Sequence, residues 1–106
     1  MNINVGDMVR VSMKKRGFTF ERLAAELTKQ QEILGHKGII RKQNLHGKVV
    51  IQGGEAGITP EMARRIEIIL DLPRYSLVDL CPKRALNSKA EQLKLEKVNK
   101  LLGGED

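Results

Sequence analysis

The chain has 106 residues, a formal net charge of +6, two Phe, one Tyr and no Trp. This length predicts a single domain with a modest core built from aliphatic side chains, chiefly Leu, Ile, Val, Met and Ala. One cysteine excludes an internal disulfide, and the sequence shows neither a long apolar run nor a secretory pattern. We therefore expect a soluble, cytoplasmic protein that does not enter a membrane.

Residues 5–16 are predicted to form the first helix. Val5, Val9 and Met13 recur every four residues, which places them on one helical face. A short alternation of apolar and basic residues around Arg10 also permits a strand, so both interpretations stay open.

A tight turn and a second helix are predicted next. Gly17 can adopt the left-handed conformation that closes a helix, and Thr19 is a favourable N-cap residue. Phe18 and Leu23 are then spaced as a hydrophobic staple across the start of a helix that begins at Phe20.

The end of this second helix has two interpretations. Gly35 is a natural stop, so the helix can run to Leu34. Alternatively it ends near Lys29, and residues 30–37 form an inserted loop.

Residues 38–54 also have two interpretations. Arg41, Lys42, Gln43 and Asn44 have the composition of a DNA recognition helix, which Gly47 would cap. The alternative is a short β-hairpin near 39–52, because residues 49–51 have strand propensity. Either element can enter a DNA major groove. Residues 52–57 are predicted to be a flexible connector.

Residues 59–72 give the clearest helical pattern. Thr59 is its N-cap, Pro60 suits the first helical position, and Pro73 ends it. Its apolar face consists of Met62, Ala63, Ile66, Ile69 and Leu70. We expect one core that joins Met13, Leu23, Leu27, Met62, Ile66 and Ile69.

Two further helices are predicted toward the end of the chain. Residues 76–81 form a short helix in which Cys81 is a core residue rather than a nucleophile. Ser88 and Glu91 match a capping box that starts a last helix reaching about residue 102. The domain organisation is then a core domain at 1–82 and a C-terminal helical tail at 83–106. This tail is a candidate homodimer contact.

The segment Arg16-Gly17-Phe18-Thr19-Phe20-Glu21-Arg22-Leu23-Ala24 resembles the opening of helix 2 in the lambda-repressor-like (Cro/repressor, XRE-type) helix-turn-helix family. The similarity covers residues 5–27 and resumes at 57–72, which resembles the later helix that closes the family's core. The family usually has Gly where this chain has Thr28, and an irregular insertion follows helix 2. The resemblance implies a mainly α, helix-turn-helix-like bundle of four to six helices that binds double-stranded DNA.

The placement of charge agrees with a polyanionic partner. Residues 10–48 hold ten Lys or Arg and three Glu, which gives this half a charge of +7. Arg41, Gln43 and Asn44 are candidates for reading bases, because their side chains match base edges. The full candidate DNA-binding set is Lys14, Lys15, Arg22, Lys37, Arg41, Lys42, Gln43, Asn44 and Lys48.

We therefore predict a sequence-specific, double-stranded DNA-binding transcriptional regulator. Neither a nucleophile–base pair nor paired carboxylates in an apolar setting is evident, so an enzyme is not expected. Two His and one Cys do not make a zinc site, so we expect no metal and no cofactor. The alternative is a protein-interaction module of the same fold, antitoxin-like or inhibitory, that has lost DNA readout. The irregular segment at 28–57 favours this alternative.

Overall fold

The structure is a computed structural model that describes residues 4–51 and 58–103. Its elements are α1 (Val5–Arg16), α2 (Phe20–Leu34), α3 (Lys42–His46), a π-helical turn (Gly47–Ile51), α4 (Pro60–Leu70), a 3₁₀ turn (Val78–Leu80), α5 (Lys83–Leu86) and α6 (Lys89–Leu101). Over these described ranges there is no strand, which confirms the mainly α small bundle. The hairpin alternative is wrong for residues 39–51, and the predicted connector at 52–57 lies outside the described residues.

The first helix covers the predicted residues 5–16, and the second begins at the predicted Phe20. The side chain of Asn4 accepts a hydrogen bond from the Asp7 amide at 2.8 Å, which starts α1. Gly17 ends α1 with φ of 69°, and the Thr19 hydroxyl accepts from the Arg22 amide at 3.1 Å to start α2. The strand alternative around Arg10 is therefore wrong.

The second helix takes the longer of its two predicted lengths. It continues to Leu34 and closes at Gly35, where φ is 78°. The inserted loop over residues 30–37 is thus wrong, and residues 35–41 form the connection to α3. Thr28 holds this connection, because its hydroxyl oxygen accepts from the Ile40 amide at 3.0 Å.

The helical interpretation of this region is correct for residues 42–51, whereas residues 39–41 precede the helix and the predicted cap at Gly47 is wrong. Gly47 has φ of −59° and ψ of −44°, so it continues the helix into the π-helical turn. Residues 42–51 therefore form one continuous helical stretch, which we call the reading segment. Leu45 and Val49 are its buried residues, spaced one turn apart on the inner face.

The fourth helix starts as predicted and ends slightly earlier. The Thr59 hydroxyl accepts from the Met62 amide at 3.2 Å, and Pro60 occupies the first helical position. The helix ends at Leu70 because Asp71 adopts a left-handed conformation with φ of 55°.

One core joins α1, α2, α4, the reading segment and the 3₁₀ turn. Of the six residues predicted for it, Met13, Leu23, Leu27 and Ile66 are buried, while Met62 and Ile69 are partly buried at its edge. The short helix predicted at 76–81 is a 3₁₀ turn, and the sequence patterns did not reveal α5.

The last helix packs on α4 and α2. Val98 is its buried residue, whereas Leu93 and Leu101 are exposed. The predicted capping box is half formed. The Ser88 hydroxyl accepts from the Glu91 amide at 3.4 Å, but the Ser88 amide donates to the Ala85 carbonyl instead of to Glu91.

Candidate nucleic-acid interface

All nine side chains predicted to bind DNA are exposed. Four of them, Lys42, Gln43, Asn44 and Lys48, lie on the reading segment, and Arg41 is the N-cap residue directly before it. Because Leu45 and Val49 fill its inner face, the side chains of Lys42, Gln43 and Asn44 are left on the outer surface. A buried aliphatic pair thus fixes the orientation of the polar groups, as a recognition element requires.

A groove between α2 and the start of α3 brings several of these residues together. It has a volume of about 500 Å³, and we call it the α2–α3 groove. Arg41, Lys42 and Gln43 line one wall, and Ala24 and Ala25 line the other. The small alanine side chains keep the groove open. Its lining also includes Glu21, Thr28, Ile39 and Ile40.

The basic end of α1 approaches the same region through two aromatic rings. Lys14 lines a cleft of about 260 Å³ together with Phe20, whose ring meets the His46 ring edge-on at 5.3 Å. Arg10 lines this cleft with Lys14. Arg10 is not among the nine predicted residues, although its spacing of four residues from Lys14 puts both on one helical face.

The remaining candidates are more dispersed. Arg22 lies on another face of α2, where its guanidinium stacks 4.2 Å from the centre of the Phe18 ring. The structure therefore does not bring Arg22 into the α2–α3 groove. Lys15 lies in the last turn of α1, Lys37 in the 35–41 connection, and Lys48 in the π-helical turn.

A buried polar network links α4 to α2, the helix that forms one wall of the α2–α3 groove. Sequence patterns did not reveal this network. Arg65 donates to Gln30 at 3.0 Å and to the Leu27 carbonyl at 2.8 Å, which ties α4 to α2. Burial lowers the pKa of Arg65 from its ordinary value, and the nearby Glu61 carboxylate partly offsets this shift. The hydrogen bonds hold α2 in a fixed position relative to the core.

A second part of the network fixes the segment after α4. The fully buried Glu67 accepts from the Arg64 guanidinium at 2.8 Å and from the Leu77 and Val78 amides at 2.8 and 2.9 Å. Arg64 also donates to Asn99 of α6 at 2.7 Å. These charged groups are committed to the scaffold, so they are not part of a binding site.

Cys81 does not have the surroundings of a reactive thiol. Its sulfur lies 3.8 Å from the Ile58 carbonyl oxygen and 3.9 Å from that of Leu77. Burial raises the pKa of the thiol to about 12, and the negative charges of Glu67, Glu91 and Asp79 add to the shift. The thiolate is the reactive form, so Cys81 is held in its inert state at neutral pH.

Among residues 4–51 and 58–103, no cluster of three or more His, Cys, Asp or Glu side chains is arranged to hold a metal ion. Across the same residues, no helix has both the length and the apolar character needed to cross a membrane. Comparison with known proteins gave no match to a family model, to a curated protein or to a solved structure.

Proposed function

We propose that the chain is a sequence-specific, double-stranded DNA-binding transcriptional regulator of the cytoplasm, of lambda-repressor-like helix-turn-helix type. The observation that carries the proposal is the reading segment. Its inner face is anchored by Leu45 and Val49, and its outer face presents Lys42, Gln43 and Asn44. A helix with this division fits a major groove, which is about 12 Å wide.

In this mechanism Arg41 and the first residues of the reading segment contact base edges. Arg41 has the forked donors that suit guanine, and Asn44 has the donor–acceptor pair that suits adenine. Gln43 has the same chemistry as Asn44 and lines the α2–α3 groove beside Arg41. These three residues would supply sequence selectivity.

The lysines and Arg22 would supply affinity by contacting phosphates. Each neutralised phosphate releases a condensed counterion, so binding should weaken steeply as salt is raised. Lys14, Lys15, Arg22, Lys37, Lys42 and Lys48 are the candidates for this role. Phosphate contacts fix the register of the protein on the duplex without reading its sequence.

One departure from an ordinary helix-turn-helix has a structural compensation. The usual turn between the two helices has three or four residues, whereas residues 35–41 connect α2 to α3 here. Thr28 fastens this longer connection through its hydrogen bond to Ile40. The reading segment is therefore held against α2 despite the length of the connection.

The last helix would join two copies of the regulator. Leu93 and Leu101 are 65% and 43% exposed, and they are two turns apart on one face of α6. A two-fold dimer would present two reading segments to successive half-sites of a palindromic operator. Light scattering of the wild type and of Leu93→Gln measures this association directly.

The test of DNA readout compares two substitutions by gel shift, on a selected site and on random duplex. Arg41→Ala should weaken binding to the selected site by about 1–3 kcal/mol more than binding to random DNA, the usual value of one base-reading pair. Lys14→Ala should weaken both about equally and lower the salt slope by about one. Lys97→Ala, on the exposed face of α6, serves as the control and should change neither.

The second candidate is a protein-interaction module that has lost DNA readout. It is favoured by Ile39, which lies shortly before the reading segment and is 68% exposed, and by Ile51, which ends the segment and is 77% exposed. Exposed aliphatic side chains of this size suit a protein partner better than a phosphate backbone. If Arg41→Ala and Asn44→Ala both preserve site preference, or binding ignores salt, this second function replaces the first.

A further inference from the structure

A second groove runs along the face of α2 that points away from α3. It has a volume of about 510 Å³ and lies between α2, the end of α4 and the end of α6, so we call it the α2–α4 groove. Five of its nine lining residues are apolar, namely Phe18, Ile33, Ile68, Ile69 and Leu102. Ile33 is 57% exposed, and the other four are partly buried. We call these five apolar side chains the floor of the groove. No segment among the described residues covers them.

The rim of this groove is basic. Arg22 is held in place by the Phe18 ring at 4.2 Å, so its charge is positioned before any partner arrives. Lys29 lies farther along the same rim, 3.6 Å from Glu26, with 74% of its side chain exposed. Gln30 also lines the groove, but its amide is used by Arg65. The rim therefore holds two cations, Arg22 and Lys29, against one carboxylate, that of Glu26, and keeps a net positive charge.

We propose that the α2–α4 groove is a docking site for an acidic, amphipathic helix of a partner protein. From Arg22 to Ile33 the groove follows α2 for about 16 Å, the length of roughly three helical turns. A partner helix would place aliphatic side chains at i, i+3 or i+4, and i+7 on the isoleucine floor. Its flanking carboxylates would meet Arg22 and Lys29.

The chemistry of the groove disfavours two other occupants, a DNA backbone and the α6 helix of a second copy of the chain. A DNA backbone would pair with the cations but would leave the apolar floor without a contact, since phosphates offer no apolar surface. The α6 helix of a second copy has four Lys and two Glu over residues 89–101, so its charge has the same sign as the rim. An acidic helix is the occupant that satisfies both the floor and the rim.

This docking site goes beyond the proposed function and does not depend on it. Glu21, Ala24, Ala25 and Thr28 of α2 line the α2–α3 groove, whereas the residues of α2 named above line the α2–α4 groove. A partner could therefore bind one face of α2 while DNA occupies the other. Arg22 is a candidate contact both for a DNA phosphate and for a carboxylate of the partner helix.

The site can be tested by selecting ligands from a displayed library of random 16-residue peptides on the full-length protein. The enriched peptides should carry a net negative charge and aliphatic residues at helical spacing. By fluorescence anisotropy, Ile33→Gln and Lys29→Glu should each weaken the best peptide at least tenfold. Val11→Gln, the same kind of change at an exposed aliphatic residue of α1 outside this groove, should leave the affinity of the peptide within twofold.

Four outcomes would overturn the proposal. Selection could yield no enriched peptide, or peptides without an excess of Asp and Glu. Alternatively, the enriched peptides could bind Ile33→Gln as well as the wild type, which would place them elsewhere. If Ile33→Gln weakened duplex DNA instead of peptide, the groove would be part of the nucleic-acid surface. Circular dichroism melts establish that each variant is folded.

Discussion

Replacing the buried carboxylate of Glu67 by an amide should destabilise the protein severely. One oxygen of Glu67 accepts from the Arg64 guanidinium and the Tyr75 amide, both at 2.8 Å. The other accepts from the Leu77 and Val78 amides at 2.8 and 2.9 Å. In Glu67→Gln the new NH₂ group must face one of these two pairs of donors, whichever way the amide is turned.

The size of the effect follows from burial. Glu67 is fully buried and Arg64 is 6% exposed, so the substitution also leaves the guanidinium without its counter-charge. Removing one member of a buried ion pair costs about 3–5 kcal/mol. Domains of this kind are stable by about 5–15 kcal/mol in all. At roughly 4 °C per kcal/mol for a chain of this size, the midpoint temperature of thermal unfolding should fall by about 12–20 °C.

Thermal melts followed by circular dichroism provide the assay, with urea titration as a second measure of the free energy of unfolding. Glu96→Gln is the matched control, because Glu96 is exposed on α6 and its substitution should change stability by less than about 0.5 kcal/mol. A Glu67→Gln midpoint within about 2 °C of the wild type would refute the reasoning. It would mean that the four hydrogen bonds do not hold the segment after α4.

Two further predictions concern the core. Leu23→Ala should cost about 2–5 kcal/mol, because Leu23 is fully buried where α1, α2 and α4 meet, and an unchanged melt would contradict that core. The folded-state pKa of Cys81, about 12, is raised above its ordinary 9.0, so its contribution to stability is complete below about pH 9 and is lost as the pH rises toward 12. Cys81→Ala should remove this alkaline loss in urea titrations. In the native wild type at pH 8, thiol reagents should label Cys81 slowly, and unfolding in urea should make the labelling fast.

Several helix ends were predictable, because the interactions that fix them are local. Asn or Thr before a helix and Gly after it act through hydrogen bonds within three or four residues, so a short stretch of sequence contains the whole interaction. Thr19, Gly17 and Thr59 all behave in this way. The exposure of Arg41 to Asn44 was predictable too, since polar side chains seldom enter a core unless they are paired.

The polar network of α4 was not predictable, because its causes are distant. Arg64 and Arg65 follow one another on a helix whose other face is apolar, which is the usual pattern of a solvated surface. Their burial depends on Asn99 and Gln30, each 35 residues away along the chain. The continuation of the helix through Gly47 was missed for a similar reason. Glycine permits a cap but does not require one, and tertiary packing of Val49 favours the helix.

The sequence separation of these hydrogen bonds has a consequence for how the chain folds. Glu67 reaches amides 8, 10 and 11 residues away, whereas Arg65 reaches groups of α2 that are 35 and 38 residues away. Closing a loop of about ten residues takes roughly 10–100 ns, and longer closures carry a larger entropic cost. We therefore expect α4 and the turn that follows it to assemble first, with docking onto α2 as the slow step. In stopped-flow kinetics, Glu67→Gln should then mainly slow folding, whereas Gln30→Ala should mainly speed unfolding.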